Sequence, residues 1–186
     1  EKHDDVRIDN YYWLKDRENP EVIAYLEEEN AYRENVMKNS EAFQEDLYKE
    51  IVGRIKQTDM SVPYRDNGYH YITRYEEGKE YPIYARKKGS MEANEEIMLN
   101  VNELAAEYEY YAVSGLSVSP NNKILAFGED PVSRRQYTLR FKNLETGEMY
   151  DDEIENTTGG ATWANDNKTL FYCAKNEITL RSEKIF

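Results

Sequence analysis

Nucleophilic catalysis needs a serine or cysteine, a base within hydrogen-bond reach and an acid that orients the base. The chain offers one cysteine, Cys173, and two histidines, His3 and His70. His3 stands in a polar opening stretch. His70 stands among tyrosines in an alternating segment, as an outward-facing strand residue would. Cys173 falls in a short apolar run and reads as a small core residue, not an activated thiol. There is no Gly-x-Ser-x-Gly elbow and no glycine-rich phosphate loop. Asp151, Asp152, Glu153 and Glu155 carry enough charge for a hard cation. They lack the spaced oxygen ligands and glycine turn of a calcium loop, so they read as a solvated loop. Glu27, Glu28 and Glu29 read as an exposed helix face. Asn156-Thr157-Thr158 and Asn167-Lys168-Thr169 fit the glycosylation pattern, which is short enough to recur by chance. On this reading no residue has a catalytic, cofactor-binding or metal-binding role, and no cofactor is expected.

The elements around these residues look like a sheet scaffold behind a helical arm. In residues 1–58, Asn19-Pro20 is a helix start: the asparagine can cap free amides and proline tolerates the first turn. Val22, Tyr25, Leu26, Tyr32 and Val36 follow on one helical face. Ser40 is expected to cap a second helix of about 15 residues. Its stripe is Phe43, Leu47, Ile51 and Ile55, spaced by fours, and it needs a surface to cover it. From about residue 60 the period changes to two. Tyr69, Tyr71, Thr73 and Tyr75 alternate with His70, Ile72 and Arg74. A turn at Glu76-Glu77-Gly78-Lys79 leads to a return strand from Tyr81 to Arg86. Pro82 belongs near the start of that strand or on an edge.

One phrase then recurs 45 residues apart: Asn122-Lys123-Ile124-Leu125-Ala126-Phe127 and Asn167-Lys168-Thr169-Leu170-Phe171-Tyr172. A looser copy is Asp66-Asn67-Gly68-Tyr69-His70-Tyr71-Ile72. Short strands at this period are the mark of propeller blades, and propellers close with roughly 4–8 of them. The expected fold is therefore mainly β with N-terminal helices. Residues 59–186 would form an incomplete β-propeller of about two and a half blades, near 61–100, 116–152 and 160–186.

Charge and composition limit the partners. With 37 acidic and 24 basic residues the net charge is −13, which argues against nucleic acid and anionic membrane surfaces and suits basic ligands. A lone cysteine excludes an internal disulfide and fits a reducing compartment. A cytoplasmic location is expected, with the periplasm as the alternative. The chain opens at Glu1 without an apolar leader, and earlier residues are expected to have been removed.

Several runs resemble the prolyl oligopeptidase family of serine peptidases. They are residues 7–16 (Arg7 to Asp16), Pro20 to Asn30, Gly78 to Tyr84, Ser133 to Tyr137, Arg140 to Gly147 and Trp163 to Asp166. Their order is similar to the oligopeptidase B, or protease II, branch. The resemblance implies a seven-bladed propeller and a C-terminal α/β-hydrolase domain carrying Ser, Asp and His, which this chain does not contain. It also implies that the helical arm packs on that hydrolase domain. Members of the branch cleave short peptides after Lys or Arg, the propeller restricting access. This chain would then be an inactive N-terminal fragment that self-associates through unpaired blade faces and edges. The alternative is a self-contained propeller-like binding module, and a third reading is an extracytoplasmic interaction protein. A reading frame that continues past Phe186 into a hydrolase half would exclude the module.

Overall fold

A computed structural model describes His3 and residues 6–186, so the first residues of the arm lie outside the description. The chain divides into two compact units, Glu1–Lys56 and Gln57–Phe186.

The first unit is helical. After a 3-10 turn at Tyr12–Lys15, helix α1 spans Pro20–Met37. Asn19 caps it as expected, its side-chain oxygen accepting from the Glu21 amide at 2.9 Å. The Trp13 ring meets the Tyr25 ring edge-on at 5.8 Å. Ser40 is not a cap. A 3-10 turn, Lys38–Ser40, joins α1 to helix α2, Glu41–Gly53, and the Glu41 amide already donates to the Lys38 carbonyl. Ser40 keeps helical backbone angles; its hydroxyl donates to the Met37 carbonyl at 2.6 Å and accepts from Gln44 Nε2 at 2.8 Å. A near-continuous helical path leaves fewer free amides for a hydroxyl to satisfy. Val22 is buried, whereas Phe43, Leu47, Ile51 and Ile55 are all exposed.

The second unit begins with a four-stranded antiparallel meander: β1 (Tyr64–Asp66), β2 (Tyr69–Arg74), β3 (Ile83–Lys88) and β4 (Glu95–Asn100), paired in that order. Asn67-Gly68 joins β1 to β2 with both residues at positive φ, 42° and 83°. Two such residues match the twist of a tight hairpin. Pro82 sits just before β3, where its missing N–H costs no ladder bond. A one-turn helix, α3 (Val101–Leu104), follows β4 and was not anticipated from the sequence. Asn100 caps it at the Asn102 amide, and Val101 is buried.

The remaining strands form one curled six-stranded sheet rather than two separate ones. They are β5 (Ala112–Val118), β6 (Ile124–Asp130), β7 (Tyr137–Asn143), β8 (Met149–Trp163), β9 (Leu170–Lys175) and β10 (Ser182–Ile185), paired in sequence. The expected break between 152 and 160 is absent. Strand β8 runs 15 residues; its first half pairs with β7 (Arg140 opposite Glu153) and its second with β9 (Trp163 opposite Leu170). Asn156 and Gly159 have φ of 55° and 84°. They bend the strand between its β7-paired and β9-paired halves without ending it. The acidic run Asp151–Glu155 therefore lies on a strand, not in a loop.

The bend lays β8 back over β5 and β6. A Cβ on Gly128 would stand 2.4 Å from the Gly159 Cα, and one on Gly115 would stand 2.0 Å from the Gly159 carbonyl oxygen. Only glycines permit that approach. Beside it, the Trp163 indole donates to the Ser117 carbonyl at 3.0 Å. One core joins the two sheets, with Tyr69, Tyr71, Met98 and Leu99 on one side and Tyr111, Leu125 and Phe127 on the other.

Candidate functional site

The side chains with chemical potential are each held by structural partners. His3 is exposed in a turn. His70 lies on β2 with Nε2 3.2 Å from the Gly89 carbonyl oxygen. Cys173 is a half-buried free thiol on β9. Among the described residues no hydrogen bond joins a histidine to a serine or cysteine, and no group of three or more His, Cys, Asp or Glu could hold a metal. Glu153 of the acidic run pairs with Arg140 at 2.7 Å. Both glycosylation-pattern asparagines are engaged: Asn156 accepts from Gln136 Nε2 at 3.3 Å and donates to Glu177 at 3.2 Å. Asn167 accepts from the Asn121 amide at 2.7 Å. Thr157 is fully buried and donates to the Tyr137 carbonyl at 2.9 Å.

What the fold does assemble is a rim. An antiparallel meander places alternate connections at opposite ends of its strands. By that rule the β5–β6 and β7–β8 turns share one end. The bend in β8 returns the β8–β9 turn to the same end, and hydrogen bonds join the β1–β2 turn to it, so the three turns marked by the repeat meet. Asn67, Asn122 and Asn167 occupy the same left-handed position, with φ of 42°, 65° and 61°. Asparagine tolerates that conformation better than most residues. The turns bond to one another: Asn67 Nδ2 donates to the Pro120 carbonyl at 2.6 Å, and Asn122 Nδ2 to the Asn67 carbonyl at 3.3 Å. The Asn121–Asn167 bond continues the chain to the third turn. The repeat revealed the turns; their mutual bonding depends on how the sheets curl.

The turns on this rim are also braced internally. Asp166 accepts from the Thr169 hydroxyl at 2.6 Å and from the Thr169 and Lys168 amides at 2.8 and 2.9 Å. These bonds, the Thr169 side chain foremost, hold its carboxyl down at about 2. Asn143 braces the β7–β8 turn likewise, accepting from the Glu145 and Thr146 amides.

The opposite rim holds buried polar groups. Asp130, 1% exposed, accepts from the Val132 amide at 3.0 Å and the Arg135 amide at 2.6 Å, fixing the loop between β6 and β7. Lys175 donates to the Arg135 carbonyl from the neighbouring strand pair. Tyr111 donates to Glu129, which lies 3.7 Å from Arg140. Burial, with the bond to Glu129, raises the Tyr111 hydroxyl well above the usual tyrosine range. These groups tie loops and strands together; their arrangement is that of a scaffold with two structured rims.

Comparison with known proteins gives this scaffold relatives. Residues 1–185 match the model of the prolyl oligopeptidase N-terminal β-propeller domain. The chain is 44% identical over 200 residues to "Dipeptidyl aminopeptidase BI" of Pseudoxanthomonas mexicana, covering 98% of this chain and 28% of that protein. It is 38% identical over 184 residues to "Protease 2" of Moraxella lacunata, covering 95% and 27%. Oligopeptidase B from Leishmania major superposes with a TM-score of 0.85 at 32% identity, over 96% of this chain and 26% of that one. The chain thus spans about a quarter of the length of the curated relatives it matches.

Proposed function

The chain belongs to the prolyl oligopeptidase family, and from that premise we propose that it is the non-catalytic N-terminal part of a serine oligopeptidase. The full-length protein would close the two sheets into a seven-bladed propeller and add an α/β-hydrolase domain. It would cleave short peptides after Lys or Arg, by acyl transfer to a serine and then to water, with the propeller limiting entry. The observation that carries this reading is likeness in sequence and fold along almost the whole chain. The exposed stripe of Phe43, Leu47, Ile51 and Ile55 supports an arm that packs on the hydrolase domain. The charge of −13 supports steering of basic peptides, an effect that should weaken as salt rises. A cytoplasmic setting belongs to the same reading and is supported by the single free thiol.

A second reading is favoured by the relative named as a dipeptidyl aminopeptidase: release of dipeptides from free N-termini. One assay separates the two. Full-length protein is given N-terminally blocked Arg and Lys fluorogenic peptides, and in parallel dipeptidyl amides with a free amine. Cleavage of the blocked peptides supports the oligopeptidase; cleavage of the free-amine substrates alone supports the second reading. The 186-residue chain by itself should cleave neither, and activity surviving a serine-protease inhibitor control would overturn its inertness. The exposed strand β10 on the sheet edge supports self-association of the isolated chain. Light scattering should show mass rising with concentration; a monomer at all concentrations would refute it.

A further inference from the structure

A cleft of about 650 Å³ opens on the asparagine rim between the first sheet and the turns of the second. Arg86, from β3, lines it and is only 3% exposed. Its guanidinium lies over the Tyr69 ring, 4.1 Å from the centroid, and its Nε donates to Glu96 at 2.9 Å. One terminal nitrogen, Nη1, is buried with no acceptor. Asn122, also lining the cleft, gives its Nδ2 to the Asn67 carbonyl and leaves its Oδ1 buried with no donor. Buried groups of this kind are rarely left unpaired, and an unmet guanidinium is among the costlier to leave so.

The charges lining the cleft have the opposite bias to the chain. Lys123 is neutralised by Glu145 at 2.9 Å and Arg86 by Glu96. Lys88 also lines the cleft and has no ion-pair partner among the described residues. A positive excess is thus held in a chain of net charge −13. An unpaired guanidinium nitrogen beside a free ammonium asks for a carboxylate, which accepts well from both. The orphan Asn122 oxygen asks for a donor on the same molecule.

We propose that this cleft binds the C-terminal end of a peptide, Arg86 and Lys88 taking the terminal carboxylate and Asn122 accepting the last amide N–H. A free hydroxy acid has the same two groups, but the volume is that of a site for a larger ligand. The test reads binding to this cleft, so its outcome does not depend on peptidase activity.

The test is calorimetric titration of the intact protein with N-acetylglycine, acetate, glycolate and inorganic phosphate. N-acetylglycine should saturate with a Kd on the order of millimolar, with acetate and glycolate at least about fivefold weaker. Lys88→Glu, at an exposed position, and Asn122→Asp, which tolerates the positive φ, should each weaken it about tenfold or more. Lys79→Glu makes the same charge change at the far rim and should alter it less than about twofold. No saturable binding would mean that the cleft holds only water, and would overturn the proposal. Equal binding of acetate or phosphate would overturn the peptide terminus as ligand, as would tighter binding of glycolate. Affinity unchanged in both Lys88→Glu and Asn122→Asp would place any binding elsewhere.

Discussion

Replacing Gly128 with alanine tests the way β8 crosses the strands before it. Gly128 has ordinary strand backbone angles, so alanine adds no torsional strain there. The new Cβ would meet the Gly159 Cα at 2.4 Å and its carbonyl oxygen at 2.7 Å. Carbon atoms pack at about 3.5–4.0 Å, so the two backbones must part by about 1 Å. Gly128 is paired on both sides, with Ser114 and Leu139, the Gly159 amide is held by the Thr157 hydroxyl at 3.1 Å, and neither obstructing atom belongs to a movable side chain. Overpacking costs about 1–3 kcal/mol, and an unyielding neighbour puts this case near about 3. For a domain of this size that lowers Tm by about 6–12 °C. Gly147→Ala is the control. Its φ is +80°, but nothing lies within 4 Å of the added carbon. It should cost only the left-handed penalty, about 1 kcal/mol or roughly 2–4 °C. Far-UV circular dichroism during heating reads both. If Gly128→Ala melts no lower than Gly147→Ala, the close crossing of β8 over β6 is wrong.

The asparagine rim makes one substitution give opposite results at two positions. Asn67→Asp loses the donor to Pro120 and should cost about 1 kcal/mol in urea unfolding, whereas Asn167→Asp keeps its acceptor for Asn121 and should stay within about 0.5 kcal/mol. Equal costs would remove the inter-turn bonds from the account. Asp166, held at about 2, favours the folded state above its unfolded pKa of about 3.8. That contribution fades as pH falls towards 2. Asp166→Ala should flatten stability between about pH 4 and 2, and a carboxyl titrating near 4 by NMR would refute the bracing by Thr169. The raised Tyr111 hydroxyl works at the other end of the scale: its stability is whole below about pH 10 and is lost as pH climbs beyond. Tyr111→Phe should cost about 1–2 kcal/mol at neutral pH by leaving Glu129 without its donor, and should reduce the alkaline loss. An unchanged alkaline limb would contradict it.

Much of the scaffold was legible because its signals are local. Asn19-Pro20 caps a helix through its nearest amides, and Asn67-Gly68 makes a tight turn by its own backbone freedom. Alternation from Tyr69 to Arg74 follows directly from the two-residue period of a strand. The 45-residue repeat placed three turns correctly because asparagine tolerates positive φ where a tight turn requires it. Ser40 misled because a serine before a helix carries the same local sign whether or not its neighbours have already satisfied the amides. The continuity of β8 was not legible: Asn156 and Gly159 bend the chain, and only the ladder bonds to β7 and β9 show that the strand runs through.

The sequence by itself determined the local grammar: helical arm, short strands, repeated asparagine turns and a surplus of acid. Only the tertiary structure decided what those pieces share. It joined β5 to β10 in one curled sheet, linked the three turns into a rim and brought Gly128 against Gly159. It also placed the unpaired Nη1 of Arg86 at a cleft with Asn122, 36 positions further along. The reason is range. A cap or turn is set by atoms a few residues apart, whereas a backbone crossing or an unsatisfied buried group exists only once distant strands have taken their register.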